Sequence, residues 1–277
     1  MDKLGFVAQL EDSLQGLVAR SRLGVWLSLK IGNQCRAIVG KAHGARVFDM
    51  ALNGEAAIIQ HVSKSLRKVV DVGANRGEWT RMVLKSTPSV EACLLFEPGT
   101  AALEALRKTF AEQPKVLIIG AAAGDSVGQL SFYEEPNAGE RSSLVAGTFP
   151  DVTEHTVKVT TLDTEIEQLG WPNIDYFKID AEGYDFQVLK GARNLFADKR
   201  IALGQFEYNV AWAPSGSTLT YALNWLKDLG YECFLLKRNK LYVPRPEVYG
   251  EYFRYSNYVF CHAGSKELIA SLIAGVV

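Results

Sequence analysis

Apolar residues in the first part of the chain recur at helical spacing. The apolar positions within residues 2–22 include Leu4, Val7, Leu10, Leu14, Leu17 and Val18. Steps of three and four residues place them on one face of an amphipathic helix. Residues 23–65 continue as helix and loop, interrupted by glycines. We therefore expect a helical extension over residues 1–65, whose apolar face forms either a lid over a binding site or a dimer contact.

From residue 66 onward, short apolar runs alternate with helical patterns. The main strands are predicted at 68–73, 92–98, 115–123, 174–180 and 201–209. Helices are predicted at 78–86, 100–110, 184–192 and 218–230. Additional strands are predicted at 128–135 and 155–163, with a closing pair at 231–238 and 256–262. This alternation predicts an α/β domain over residues 66–262, with a mostly parallel sheet covered by helices on both faces. An apolar tail, 263–277, follows it.

Composition narrows the class of protein. The net charge of −1 gives no bulk attraction for nucleic acid. The apolar runs at 24–32 and 268–277 are shorter than the roughly 20 residues of a membrane-spanning helix, and the first ten residues do not resemble a signal peptide. The four cysteines contain no CxxC pair. Widely spaced thiols of this kind are typical of a reducing compartment, so we expect a cytoplasmic protein without a membrane span.

Acidic residues occur at the carboxyl end of every main predicted strand. They are Asp71, Glu97, Asp125, Asp180 with Glu182, and Glu207. Since parallel sheets bind ligands beyond the carboxyl ends of their strands, these carboxylates are expected to share one site. Such a site favours positive charge and hydroxyl groups.

The turn after the first strand, in "VVDVGANRGEW" (69–79), indicates which ligand binds. Gly73 and Gly77 allow the backbone to pass close to a ligand. Asn75 stands where a GxGxxG diphosphate turn has its second glycine, and Asp71 adds negative charge. The turn therefore suits an amino acid moiety with a nearby sulfonium, and Glu97 can accept both hydroxyls of a ribose. Together these features predict S-adenosylmethionine.

Several segments resemble the FkbM family of class I methyltransferases. They are "VVDVGANRGEWT", "LLFEP", "GAAAGDSVGQLSFY", "RSSLV", "VTTLD", "YFKIDAEGYDFQVLKGA" and "SNYVF". The resemblance implies a Rossmann-like, seven-stranded sheet with an antiparallel last strand. It also implies S-adenosylmethionine as methyl donor, with a sugar or natural-product hydroxyl as the common acceptor. Carried over by motif, Asp71, Gly73, Asn75 and Glu97 line the donor site, and Asp125 approaches the adenine.

Methyl transfer needs alignment and a base, because the sulfonium is already activated. The candidate bases are Asp180, Glu182, Glu207 and His155, with Asp180 and Glu182 best placed after the fourth strand. Asp163, Asp180, Glu182 and Glu207 could alternatively hold Mg²⁺. No spacing rule requires that ion, and we assign no metal ligand.

Other functions stay open. The enzyme could methylate a nitrogen of a peptide or amide, so the acceptor is a small molecule, sugar or peptide. A nicotinamide-dependent oxidoreductase would explain the acidic residue after the second strand, but GxGxxG and a YxxxK pair are missing from the sequence. A non-catalytic binding module is the third alternative. A homodimer would account for the amphipathic first helix.

Overall fold

The structure is a computed structural model that describes residues 3–44, 47–136, 142–147 and 150–276. It divides into two compact units, residues 1–42 and 43–277. Residues 43–65 and the tail from residue 263 therefore lie in the same unit as the sheet. None of the helices in the described part of the chain has both the length and the hydropathy that crossing a bilayer would require.

The first unit consists of two helices, α1 (Lys3–Ala19) and α2 (Arg22–Ala42). They approach each other closely at the turn, where a Cβ on Gly24 would lie 2.5 Å from the carbonyl oxygen of Val18. The amide of Gly24 also donates a hydrogen bond to the Ser21 hydroxyl at 3.2 Å. The predicted role of this extension as a lid or dimer contact stays a prediction.

The second unit is an α/β body. Its helices are α3 (Met50–Asn53), α4 (Glu55–Val62), α5 (Glu78–Ser86), α6 (Thr100–Thr109), α7 (Leu162–Gln168), α8 (Asp185–Lys190), α9 (Arg193–Ala197), α10 (Leu219–Asp228) and α11 (Pro246–Tyr249). Its strands are β1 (Lys68–Val72), β2 (Ala92–Phe96), β3 (Val116–Ile119), β4 (Ala122–Ala123), β5 (Gly128–Glu134), β6 (Thr153–Thr160), β7 (Ile174–Ile179), β8 (Ile201–Tyr208), β9 (Tyr231–Lys237), β10 (Lys240–Val243), β11 (Ser256–His262) and β12 (Ile273–Val276).

The large sheet has nine strands in the order β12-β10-β9-β11-β8-β7-β1-β2-β3. The run from β3 to β8 is parallel, and β11 is antiparallel to both of its neighbours. The Rossmann-like class and the antiparallel late strand are thus confirmed. The predicted count of seven strands is too low, because β10 and β12 extend the edge beyond β9.

Alternate residues of the strands face opposite layers of the core. Val69, Tyr176 and Leu203 pack with the α4 and α5 residues of one layer. The facing residues Phe177 and Phe260 meet Phe196 and other aromatic side chains of the second layer, with the Phe196 and Phe260 ring centroids 5.4 Å apart. Because side chains alternate between the two faces along each strand, both faces of the sheet are buried. This packing holds the strand ends that carry the site.

A second, smaller sheet has the order β4-β6-β5. The predicted strand 155–163 ends earlier than expected, since Thr161 caps α7 by accepting the amide of Thr164 at 3.1 Å. The predicted strand 115–123 is divided between the two sheets as β3 and β4. The apolar tail does not stand apart from the body, because β12 pairs in parallel with β10.

Candidate active site

A partly open cavity lies at the carboxyl ends of β1, β2 and β7. The polar part of its lining is carboxylate-rich and includes Glu97, Glu134, Asp180 and Glu182. The apolar part is formed by Val72, Phe96, Pro98, Ala102, Ala122, Ala123, Phe132, Leu144 and Ala181.

The turn after β1 forms one wall of the cavity. Gly73 has a φ of 74° and Asn75 a φ of 46°, so the chain bends sharply through left-handed conformations. The amides of Gly73 and Ala74 both donate to the carbonyl of Phe96 at 3.1 Å, which ties the turn to β2. Gly73 and Asn75 line the cavity, as the sequence predicts for the donor site.

Glu97 is held rigidly at the end of β2. One carboxylate oxygen accepts the Asn75 amide at 2.7 Å, and the other accepts the Gly99 amide at 2.8 Å. Burial raises the pKa of Glu97 to about 7, although the two amides act in the opposite direction. Each carboxylate oxygen still has a free lone pair, so the group can accept further hydrogen bonds from a ligand in the cavity.

Asp71 does not line the cavity. Its carboxylate is fully buried, accepting the Thr80 hydroxyl at 2.6 Å and Lys178 Nζ at 3.3 Å. Lys178 is also 3.3 Å from Asp180, which does line the cavity. Burial acts to lower the pKa of Lys178, but Asp71, Asp180 and Glu55 outweigh it and raise that pKa. Asp71 therefore positions the site through Lys178, and its predicted direct contact with a ligand would need a rearrangement.

Gly77 and Asp125 also lie outside the cavity lining. Gly77 begins α5, and a Cβ there would lie 2.3 Å from the ring of Phe110, so its role is packing. Asp125 forms an ion pair with Lys190 at 2.8 Å. Its predicted approach to an adenine would require this ion pair to open.

Three predicted acidic residues converge beside the cavity. Carboxylate oxygens of Asp180, Glu182 and Glu207 all lie within 4.8 Å of one another. Asn209 bridges two of them, donating to Glu207 at 2.7 Å and to Glu182 at 3.1 Å. Burial raises the pKa of Glu207 well above its usual range, and the charges of Asp180 and Glu182 add to this shift.

The segment after β7 is bent so that Glu182 faces the cavity. Glu182 and Gly183 adopt left-handed φ values of 46° and 97°. Asp185 accepts the amides of Ala181 at 3.3 Å and Gly183 at 3.1 Å from inside the loop. A Cβ on Gly183 would lie 2.5 Å from that of Ala211, so only glycine fits there.

His155 is not part of this cluster. It lies on β6, where its Nε2 is 3.4 Å from Glu134 and its ring meets Phe132 edge-on at 5.6 Å. Both of those neighbours line the cavity, whereas His155 stands behind them. Acting as a base on a ligand in the cavity would require it to displace Glu134.

The carboxylate cluster has three of the four ligands considered for Mg²⁺. Asp163 is elsewhere, because its carboxylate accepts the amides of Asn194 and Leu195 at 3.0 Å and thereby caps α9. The three remaining carboxylates are of the type that divalent cations bind. They are equally suited to hold hydroxyl groups.

The FkbM methyltransferase domain model matches residues 71–233, which span the cavity, the turn after β1 and the carboxylate cluster. This chain belongs to the FkbM methyltransferase family. No curated protein matches its sequence.

Solved structures similar to this FkbM protein include a methyltransferase FkbM from Methylobacillus flagellatus, with 18% identity and a TM-score of 0.45. That match covers 71% of this chain but only 44% of the other. An O-methyltransferase from Bacillus cereus in complex with SAH has 8% identity and a TM-score of 0.41, covering 82% of this chain and 88% of that one. A precorrin-6y C5,15-methyltransferase from Geobacter metallireducens has 11% identity and a TM-score of 0.40, covering 74% and 86%.

Sequence reasoning missed two features of this FkbM site. Lys178 stands between the apolar residues Phe177 and Ile179 of β7, and this placement of a lysine was the available signal. Behind it, Glu55 accepts a hydrogen bond from Gln205, which in turn accepts the Tyr176 hydroxyl at 2.7 Å. Burial raises the pKa of Glu55. Its distance of 150 residues from Gln205 in the chain leaves no local signal.

Proposed function

We propose that the protein transfers the methyl group of S-adenosylmethionine to a hydroxyl of a sugar or natural product. The observation that carries this proposal is Glu97, which lines the cavity and whose carboxylate is fixed by two backbone amides. A carboxylate with free lone pairs in this position suits the two vicinal hydroxyls of a ribose. Membership of the FkbM family supports the same activity.

The other walls of the cavity fit the rest of the donor. Ala122, Ala123, Phe132 and Leu144 offer an apolar surface for the adenine. The backbone of the turn after β1, together with the nearby acidic charge, suits the amino acid end and the sulfonium. The buried Asn75 Oδ1 has no hydrogen-bond partner within the described chain, so it can accept a donor group of the ligand such as an ammonium.

When bound, S-adenosylmethionine supplies a methyl group that is already activated by its sulfonium. The protein must then align the acceptor oxygen and remove its proton. Asp180 and Glu182 line the cavity and carry carboxylates, so we propose that one of them is the base. Glu207 lies beside them, where it accepts a hydrogen bond from Asn209 at 2.7 Å, and it can help to orient the acceptor.

An acidic site favours an acceptor with hydroxyl groups over a nucleic acid. Four carboxylates line the cavity, which repels the phosphates of nucleic acid. Hydroxyl groups, in contrast, donate well to carboxylates. Ser142 also lines the cavity, and we propose that the segment 134–150 borders both the donor and the acceptor. Its residues 137–141 and 148–149 lie outside the described residues.

The deciding experiment is transfer of a labelled methyl group from S-adenosylmethionine to a cell extract or a panel of sugars, with Glu97→Ala as the matched control. Label must appear in a small product with the wild type and fall strongly with the variant. Acid and base stability of the product separates an ether from an N-methyl amide, which would support the nitrogen alternative. Binding of NAD but not S-adenosylhomocysteine, followed by tryptophan fluorescence, would overturn the proposal in favour of an oxidoreductase.

The four cysteines bear on the cellular compartment. All four are free, with Cys93 and Cys261 buried and Cys35 exposed. An exposed free thiol is compatible with a reducing compartment. We therefore propose a cytoplasmic location, which fractionation of cells that express the protein would test.

A further inference from the structure

The stretch between Asp12 and Asp49 has no acidic residue. It contains six basic residues: Arg20, Arg22, Lys30, Arg36, Lys41 and Arg46. The whole chain has a net charge of −1, so this concentration of positive charge is local. Most of the stretch forms α2, and Lys41 lies in the last turn of that helix.

Helix α2 also exposes a row of apolar side chains. Leu27, Ile31 and Ile38 are spaced by four and seven residues and therefore share one face. Their exposed fractions are 46%, 64% and 67%. At 100° per residue, Lys30 and Lys41 flank this face at about 60–80° from its centre, whereas Arg22 and Arg36 fall on the opposite side of the helix. Other exposed apolar residues of the helix are Leu23, Val25, Trp26 and Leu29.

Apolar surface of this extent is unfavourable in water, since each Å² costs about 25 cal/mol. Contiguous patches of this kind mark a surface that another molecule covers. Leu14, Leu17 and Val18 of α1 are exposed as well, at 56%, 67% and 43%. The apolar exposure thus extends over both helices of the first unit.

The charges favour one occupant over another. Residues 3–42 hold six basic residues and only two acidic ones, Glu11 and Asp12, so two copies of the helix pair would carry an excess of like charge. An anionic lipid surface instead supplies negative headgroups for the basic residues and an apolar layer for Leu27, Ile31 and Ile38. Trp26, with Lys30 Nζ 5.4 Å from its ring, combines an apolar body with a polar edge, as interfacial tryptophans do.

We propose that α1 and α2 dock the protein on an anionic membrane surface. The helices lie in the plane of the interface, with Leu27, Ile31 and Ile38 between the headgroups. Lys30 and Lys41, which flank this face, contact lipid phosphates. This goes beyond the proposed methyl transfer, and it holds whether or not the acceptor is itself a lipid.

The test is flotation of the full-length protein with vesicles of phosphatidylcholine, with and without added phosphatidylglycerol. Binding is expected only with phosphatidylglycerol, and high salt should release the protein. Leu27→Glu/Ile31→Glu should reduce the vesicle-bound fraction by about tenfold or more. Lys30→Glu/Lys41→Glu should do the same through charge. The exposed controls Val248→Glu and Lys108→Glu, both in the second unit, should bind like the wild type.

Three results would overturn the proposal. One is an absence of wild-type binding to vesicles that contain phosphatidylglycerol. Another is undiminished binding by both double variants. The third is a wild-type dimer, seen by light scattering, that does not bind vesicles and that Leu27→Glu/Ile31→Glu converts to a monomer. That result would assign the surface to a second copy of the chain. Donor binding by the double variants confirms that they are folded, because these residues do not line the cavity.

Discussion

Gly73 and Asp180 touch backbone to backbone, and a Cβ on Gly73 would lie 1.8 Å from the carbonyl oxygen of Asp180. The turn that forms the proposed donor wall and the strand end that carries a proposed base are therefore in direct contact. This contact depends on glycine, since Gly73 also has a φ of 74°. Any side chain at residue 73 must push the two halves of the site apart.

Gly73→Ala should therefore impair both folding and donor binding. We expect a loss of about 2–4 kcal/mol in the free energy of unfolding, from the clash and the positive φ together. Donor affinity should fall by about tenfold or more, because the turn moves away from Glu97. Gly170→Ala is the matched control: Gly170 has a φ of 62° but open space around its Cβ position. Denaturant unfolding and calorimetry would measure both, and equal effects of the two variants would contradict the expectation.

Donor affinity should depend on pH through Glu97. Its pKa is about 7, raised by burial, so the carboxyl group gains a proton as the pH falls through 7. The ionised form accepts hydroxyls better, and affinity should be about tenfold weaker at pH 6 than at pH 8 if the neutral form binds poorly. Glu97→Gln removes this titration and should bind weakly with a flat profile. A flat profile for the wild type would show that Glu97 does not accept from the donor.

Glu182→Gln and Asp180→Asn should separate chemistry from binding. If either carboxylate is the base, turnover should fall by about 10²–10⁴-fold while donor affinity stays nearly constant. Glu104→Gln, on the exposed surface of α6, is the control. Full turnover in both variants would transfer the role to Glu207, His155 or solvent. Recovery of activity on addition of Mg²⁺ would indicate a metal in the cluster.

Lys178→Met should destabilise the protein by about 3–5 kcal/mol, because it leaves the buried Asp71 without a cation. The double variant Lys178→Met/Asp71→Asn should recover much of this loss. Lys190→Met is the control, since its ion pair with Asp125 is partly exposed and contributes about 0–1 kcal/mol. Thermal or denaturant unfolding would measure the differences. Similar losses in both single lysine variants would contradict a special role for Lys178.

Removal of residues 1–42 should leave the second unit folded and able to bind donor. A variant that begins at Lys64 should be much less stable, because it also loses Ile58, Ile59 and Val62, whose exposed fractions are 2% or less. If the predicted lid is correct, the shorter deletion should bind donor without transferring methyl groups to an acceptor in solution. Circular dichroism melts and calorimetry distinguish these outcomes, and equal melting temperatures of the two variants would contradict the assignment of residues 43–63 to the core.

Much of the fold follows from local patterns. Helix α5 and strand β11 have the predicted bounds, because apolar periodicity and flanking glycines are local signals. Strand β10 was missed because the hairpin before it turns through Arg238 with a φ of 56°, rather than through the Asn-Gly pair that would mark it.

The sequence predicts which residues lie together in the site better than it predicts where their side chains point. Strand ends place Asp180, Glu182 and Glu207 together, as topology requires. The direction of the Asp71 carboxylate depends on Lys178, which is 107 residues away in the chain. Likewise, His155 and Asp125 take positions set by the small sheet and by Lys190. Such side-chain contacts depend on the tertiary structure, so the local sequence does not predict them.

Strand β12 bears on how the molecule avoids self-association. An open sheet has unpaired backbone groups along its outermost strands, and a neighbouring molecule can add to them. Here the outer strand is β12, which spans only Ile273–Val276. Its pairing with β10 shifts register between Leu241 and Tyr242 of β10, and Gly275 has a φ of 134°. A short, irregular border of this kind offers a poor template for a further strand. Strand β12 therefore makes this edge a poor site for strand addition, and none of its residues lines the cavity.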